Sequence, residues 1–198
     1  MNILCLGDSL TYGFGMPRAC IWTALASQMC GAVFVNRAIN GNTTGGMMAA
    51  FYREVEAASP HIVLLMGCGN DIMYGGDIAG ARANMGGMAH MACADGLLPV
   101  IGIPTSPCPP LREDWAAFLD LEPTLAMWEE YTAWLRKMCA TFGFPAIDFA
   151  GEFPRLAERR GGALRDYYLE DGLHHNREGH AIMAEIAAQA LAPILKKK

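Results

Sequence analysis

The sequence lacks any long apolar run. No stretch of its 198 residues reaches the 18 or more apolar residues that a membrane-spanning helix requires. A basic region followed by an apolar one is also missing at the N-terminus, where Met1 and Asn2 lead directly into the first apolar segment. We therefore expect neither a membrane span nor a secretion signal.

Closely spaced cysteine pairs are missing as well. The seven cysteines are odd in number and scattered, and no two form a C-x-x-C pair, so neither a zinc knuckle nor a redox motif is indicated. His174, His175 and His180 lie near one another in the sequence, but without cysteine or carboxylate partners at ligand spacing, and we expect no metal and no other cofactor. Free cysteines in apolar runs suit a reducing compartment, which predicts a cytoplasmic protein.

Positive charge is the third scarce feature. The chain has 15 Lys and Arg against 20 Asp and Glu, a net charge of -5. This balance argues against nucleic acid or an anionic membrane surface as a partner. With 53% hydrophobic and 18% charged residues, a chain of this length predicts one compact domain over residues 1–198, with 196–198 as a solvated basic tail.

Apolar segments of strand length alternate with segments at helical spacing along the whole chain. The predicted strands are residues 3–6, 33–35, 62–66, 97–103 and 145–149. The predicted helices are residues 17–30, 44–59, 77–92, 124–142 and 176–191. The third strand is apolar throughout, which indicates a sheet covered on both faces. Right-handed crossovers then predict an α/β fold: a five-stranded parallel sheet in a doubly wound, three-layer α/β/α sandwich.

Residues 104–123 form the one long region without periodicity. It contains five prolines, which argue against a continuous helix or a central strand, and Thr124 is the expected cap of the helix that follows. A long loop in a compact domain is commonly functional, so we interpret it as a possible pocket wall. Its aromatic residues Trp115 and Phe118 either line a substrate pocket or pack the loop down. We assign no helix to the polar stretch 152–170.

The polar residues that follow the strands supply the parts of an acyl-transfer site. In open parallel sheets ligands bind at the carboxyl ends of the strands, where Ser9, Gly41, Asn70 and the turn from Asp171 to His174 converge. Ser9 is the candidate nucleophile, His174 the base and Asp171 the group that orients it. The backbone N–H groups of Ser9 and Gly41 and the side chain of Asn70 are candidate oxyanion donors.

The same residues carry a resemblance to a known family. Gly7-Asp8-Ser9-Leu10 resembles the first sequence block of the GDSL esterases and lipases, also called SGNH hydrolases. Gly41, Asn70-Asp71 and Asp171-Gly172-Leu173-His174 are similar to the three later blocks, in the family's order. The resemblance implies a flavodoxin-like α/β/α fold and a metal-independent serine hydrolase. It also implies that Ser9, Gly41, Asn70 and His174 are its working residues.

The third block departs from the family pattern, because Cys68 stands where a glycine is usual. If that position needs a positive φ, Cys68 is strained unless Gly67 or Gly69 takes over the turn. Asp8 and Asp71 are expected to hold loops through hydrogen bonds to nearby amides. His175 is expected at the pocket edge or on the surface.

Together these features predict a serine esterase or acylhydrolase that cleaves small to medium carboxylic esters through an acyl-serine intermediate. Its expected partner is a small-molecule ester, and the sequence does not indicate an oligomeric state. Within the same chemistry, a carbohydrate O-acetylesterase is the alternative. From another class, the chain could be a non-catalytic binding module on the same fold. A flavodoxin-like cofactor protein ranks last, because the first loop has no glycine run to cradle a phosphate.

Overall fold

A computed structural model describes residues 1–196 of the chain. In this part of the chain, five parallel strands form one sheet in the order β2-β1-β3-β4-β5. The strands are β1 (Asn2–Gly7), β2 (Val33–Asn36), β3 (Ile62–Met66), β4 (Leu98–Ile103) and β5 (Ala146–Asp148). This is the flavodoxin-like strand order. The predicted α/β fold and its five strands are therefore confirmed.

Nine α-helices lie within residues 1–196. They are α1 (Ser9–Tyr12), α2 (Trp22–Cys30), α3 (Thr44–Ala58), α4 (Gly69–Gly75), α5 (Ala79–Ala94), α6 (Glu113–Phe118), α7 (Leu121–Phe142), α8 (Phe149–Arg160) and α9 (Arg177–Leu195). Two short 3-10 helices cover Arg18–Cys20 and Leu164–Tyr167. No helix in the described part of the chain combines the length and apolar character needed to cross a membrane. Of the expected basic tail, residues 197–198 lie outside the described residues.

The sheet separates two apolar cores. Successive side chains of a strand point to opposite faces, so Ile3 and Cys5 of β1 enter one core and Leu4 and Leu6 the other. The first core is completed mainly by α2, α8 and α9, and the second by α3, α5 and α7. Burial on both faces is what the fully apolar strand Ile62–Met66 predicts, and every residue of β3 is buried.

Three local predictions need correction, and helix α4 was not predicted. Residues 104–123 are not irregular throughout, because they contain α6 and the first turn of α7. Helix α7 begins at Leu121 with Asp120 at the N-cap position, and not at Thr124, since a proline in the first turn, here Pro123, removes only an N–H that has no helical partner there. Helix α8 occupies about half of the polar stretch 152–170. Its buried face consists of only three residues, Phe149, Phe153 and Ala157. The loop after β3 becomes helix α4 at once.

Candidate active site

Ser9 lies directly after β1 and is the first residue of the short helix α1. The carboxylate of Asp8 caps this helix, since its Oδ1 accepts a hydrogen bond from Leu10 N at 2.9 Å. The turn ends at Gly13, whose φ of 83° is in the left-handed region. A strand, a cap and a glycine stop therefore hold the Ser9 hydroxyl at the carboxyl edge of the sheet.

Three side chains from the two ends of the chain form a hydrogen-bonded row. Ser9 Oγ lies 2.8 Å from His174 Nε2, and His174 Nδ1 lies 2.6 Å from Asp171 Oδ2. A carboxylate accepts hydrogen bonds only, so Nδ1 carries the proton of the neutral ring. Nε2 is then free to accept the hydroxyl proton of Ser9. This is the geometry that activates a serine as a nucleophile.

Asp171 is held by its own turn as well as by the histidine. Its Oδ1 accepts hydrogen bonds from Leu173 N at 2.8 Å and His174 N at 3.0 Å. Burial by itself favours the neutral acid, but the hydrogen bonds from the His174 ring and from the two backbone amides outweigh it and lower the pKa of Asp171 to about 2. The carboxylate is therefore charged at any pH well above 2, and its negative charge lies next to the imidazole.

The segment after β4 fixes this turn by backbone hydrogen bonds. Cys108 N donates to Gly172 O at 2.8 Å, and Arg112 N donates to Asp171 O at 3.3 Å. Gly172 has a φ of 72°, and a Cβ added there would lie 2.8 Å from Cys108 O. Both the backbone conformation and the close approach of the neighbouring segment therefore require glycine at this position.

Gly41 and Asn70 face the Ser9 hydroxyl across the same cleft. Gly41 has a φ of 75°, and an added Cβ would meet no protein atom within 4 Å, so the conformation rather than crowding requires glycine. Asn70 lies in the first turn of α4 and is buried, with Nδ2 donating to Asn42 O at 2.8 Å. One N–H of that amide is used by the protein, and the second is available to a ligand.

Cys68, which precedes α4, adopts a strained backbone conformation. Its φ is 126°, whereas neither Gly67 nor Gly69 has a positive φ, so of the two alternatives it is the strained Cys68, and not a shifted glycine, that makes the turn. A side chain at position 69 would also be crowded, because a Cβ added to Gly69 would lie 2.9 Å from the Trp128 ring. Burial raises the pKa of the Cys68 thiol, which leaves it a packed neutral side chain rather than a reactive thiolate.

The two aspartates beside the site hold loops, as the sequence predicts. Asp71 accepts hydrogen bonds from Thr44 N at 3.0 Å and from Thr44 Oγ1 at 2.6 Å, which ties α4 to the start of α3. Asp8 is 2% exposed, and the burial raises its pKa to about 6 despite the hydrogen bond from Leu10 N. The carboxyl group next to the candidate nucleophile therefore gains or loses its proton at a pH of about 6.

His175 is not at the pocket edge or on the surface. It is 1% exposed, its ring packs between Phe153 and Tyr168, and its Nε2 lies 3.2 Å from Thr105 Oγ1. Burial lowers the pKa of His175 well below its ordinary value, so the ring is a neutral part of the core. The expectation failed because a histidine beside a polar turn has no periodic signal that separates a buried ring from an exposed one.

Trp115 and Phe118 lie at different distances from Ser9. Trp115 borders the cleft that contains Ser9, Gly41 and His174, whereas Phe118 is 56% exposed and contacts the cleft only through the Trp115 and Tyr74 rings. Phe14, which was not among the predicted site residues, has its ring centroid 4.4 Å from that of His174. Its position between two glycines of positive φ is the one signal that marks it.

The sequence from residue 5 to 182 matches the profile of the GDSL-like Lipase/Acylhydrolase family. A structure of a lipolytic protein of the G-D-S-L family from Veillonella parvula is similar at a TM-score of 0.79 and 22% identity, covering 96% of this chain and 97% of that one. A putative lipolytic protein of the same family from Desulfitobacterium hafniense has a TM-score of 0.79 and 18% identity, with 96% and 99% covered. The psychrotrophic esterase EstA from Pseudoalteromonas sp. has a TM-score of 0.74 and 17% identity, with 99% of each chain covered. At these identities the likeness shows the fold alone, and no curated protein sequence matches the chain.

Proposed function

The chain belongs to the GDSL-like lipase/acylhydrolase family and is therefore a hydrolase, and we propose that it cleaves carboxylic esters through a covalent intermediate on Ser9. The observation that carries this proposal is the continuous row from Ser9 Oγ through both nitrogens of His174 to Asp171, with distances of 2.8 and 2.6 Å. A residue set that served only to bind a ligand would have no need of a base and an oriented carboxylate behind a serine.

Acylation begins when Ser9 Oγ attacks the ester carbonyl carbon while its proton passes to His174 Nε2. The carbonyl oxygen becomes an oxyanion, which accepts hydrogen bonds from the backbone N–H groups of Ser9 and Gly41 and from the free N–H of Asn70. The carbon–oxygen bond to the alcohol then breaks, and the alcohol leaves with the proton from His174. The charge of Asp171 stabilises the imidazolium in between.

Deacylation repeats these steps with water. Water attacks the acyl-serine carbonyl as His174 Nε2 takes its proton, and the same three donors hold the second oxyanion. The bond between the acyl carbon and Ser9 Oγ breaks, the carboxylic acid leaves, and the proton on His174 returns to Ser9. The enzyme ends in its starting state, and the atoms balance as ester plus water giving acid plus alcohol.

The test is a serine substitution combined with a covalent probe. EstA has a solved structure inhibited by monoethylphosphonate, and a fluorophosphonate tests for a reactive serine here. We expect one probe molecule per wild-type chain by intact mass, attached to Ser9. The Ser9→Ala variant should show neither labelling nor turnover of p-nitrophenyl acetate.

Ser106→Ala is the matched control, since Ser106 is an exposed serine of the segment after β4. It should label and turn over like the wild type. A Ser9→Ala variant that still hydrolyses ester would contradict the assignment of the nucleophile. An unlabelled and inactive wild type would instead favour a non-catalytic binding module.

A further inference from the structure

Two compartments of very different size adjoin Ser9. Ser9, Asn70 and His174 border both of them. The narrow compartment has a volume of about 20 Å³, and the wide one about 190 Å³. Since a cavity needs roughly 10–15 Å³ to admit one water molecule, the narrow compartment has room for one group of about that size.

The narrow compartment is closed by side chains that belong to the core. Leu10, Trp128 and Leu173 border it and are 7%, 5% and 7% exposed. The Trp128 ring is wedged against the backbone of Gly69, where an added Cβ would lie 2.9 Å from the ring. Close-packed walls of this kind do not give way to a longer chain without strain.

The wide compartment has an aromatic rim open to solvent. Tyr74 and Trp115 border it, and Phe118 extends the rim outward. The ring centroids of Tyr74 and Trp115 are 6.4 Å apart, and those of Trp115 and Phe118 are 6.1 Å apart. Tyr74 is 62% and Phe118 is 56% exposed, so the rim presents large apolar faces to solvent.

We propose that the narrow compartment holds the acyl group and the wide one the alcohol, so that the preferred substrates are acetyl esters of bulky, ring-containing alcohols. This proposal rests on the proposed function. The alcohol is the product released first, and it needs an open path from His174 to solvent, which the exposed rim of the wide compartment supplies. The acyl group stays on Ser9 until water arrives, and a methyl group matches the space in the narrow compartment. An aromatic rim binds the face of a ring by stacking.

Isomeric esters test which compartment holds which group. Hexyl acetate and methyl heptanoate have the same atoms and both release a primary alcohol, but they place the long chain on opposite sides of the ester. We expect kcat/KM for hexyl acetate to exceed that for methyl heptanoate by at least about 10-fold, the discrimination that a single excluded methylene can produce. Equal values, or the reverse preference, would overturn the assignment.

Enlarging the narrow compartment should shift this ratio. Trp128→Phe shortens the ring that closes it, and Leu10→Ala, whose side chain borders the narrow compartment and not the wide one, is a second variant in case the tryptophan is needed for folding. Either should raise kcat/KM for p-nitrophenyl butyrate relative to the acetate by about 10-fold. If two folded variants leave the acyl-length profile unchanged, the narrow compartment does not hold the acyl group.

The alcohol side is tested by truncating the rim. Wild-type enzyme should prefer cyclohexylmethyl acetate over ethyl acetate, and Trp115→Ala should remove about 3- to 10-fold of that preference, the range expected for one aromatic contact. Phe142→Ala, an exposed aromatic at the end of α7, is the control that should change nothing. An acetylated methyl glucoside, run beside the cyclohexyl ester, shows whether the preferred ring is a sugar or a hydrocarbon. If Trp115→Ala leaves the preference for both rings intact, the aromatic rim does not bind the alcohol.

Fluorophosphonate labelling of the same samples separates this inference from the proposed function. Full labelling on Ser9 together with a preference for long acyl chains would overturn the compartment assignment and leave the esterase proposal standing. Absent labelling would overturn both.

Discussion

Asp8 offers a stability prediction that follows from its burial alone. The carboxyl group is 2% exposed, and burial raises its pKa from the ordinary 3.8 to about 6. Above pH 6 the folded protein must therefore carry a buried carboxylate that the unfolded chain would expose to water. A raised pKa of an acid means that the folded state binds the proton more tightly, so stability from this group is lost as the pH rises from about 4 to about 6.

The size of the effect follows from the difference between the two pKa values. At 1.36 kcal/mol per pKa unit, the shift from 3.8 to about 6 corresponds to about 3 kcal/mol of destabilisation at pH 8. Asp8→Asn keeps an oxygen that can accept the hydrogen bond from Leu10 N but removes the charge. We expect the variant to be more stable than the wild type by up to about 3 kcal/mol at pH 8 and by about half of that at pH 5.

Urea unfolding of wild type and variant at both pH values is the assay. The difference between the two proteins isolates Asp8 from the buried histidines, which act in the opposite direction: burial lowers the pKa of His180 to about 4, so its contribution is lost as the pH falls. Asp77→Asn is the control, because exposed Asp77 accepts from Ala79 N with the same spacing and distance, 2.9 Å. A gain that is equal at pH 8 and pH 5, or a loss at pH 8, would refute the reasoning.

Three further predictions concern the site itself. Asp171→Asn should lower kcat by up to about 10⁴-fold on p-nitrophenyl acetate while circular dichroism stays native, because an amide can donate to His174 Nδ1 and stabilise the wrong tautomer; a loss below 10-fold would show that the carboxylate is dispensable. Asn70→Ala should cost about 10²- to 10³-fold in kcat through the missing oxyanion donor, with KM little changed, and a change confined to KM would contradict that role. Gly172→Ala should lower the melting temperature and the activity together, because φ is 72° and Cys108 O lies 2.8 Å from the new Cβ; a variant with wild-type stability would show that the turn is not tightly enclosed.

The sheet and its active edge could be predicted because they depend on strong periodic signals. The apolar strand at 62–66 and the glycines that end α2 and α7 are clear signals in the sequence. Parallel strands, in turn, always bring the loops that follow them to the same edge of the sheet. Helix α8 was missed because its polar face dominates the composition and Pro154 lies inside it. The start of α7 was placed too late because a first-turn proline was treated as a helix breaker.

Side-chain depth is the part that sequence spacing does not predict. His175 and His174 are neighbours in one turn, yet one is a buried core ring and the other borders the cleft. Trp128 follows the helical spacing of a core residue, and it is one, but the same ring also closes the narrow compartment beside Ser9. Which core residue borders a site depends here on the packing of α7 against α4, a tertiary relation that no local pattern contains.

The hydrogen bonds from Cys108 N to Gly172 O and from Arg112 N to Asp171 O have a consequence for how this enzyme can change over generations. The segment that carries Arg112 and Trp115 borders the wide compartment, and the turn that it contacts carries His174, the proposed general base. An insertion or deletion there would change both the alcohols that the wide compartment accepts and the orientation of the His174 ring. Most such changes would lower the activity, and selection would remove them. In the proposed arrangement acyl preference can change without that linkage, because Leu10 and Trp128 border only the narrow one of the two compartments and lie on separate helices, α1 and α7. Divergence among descendants of this chain should therefore come first in the acids they release and only later in the alcohols.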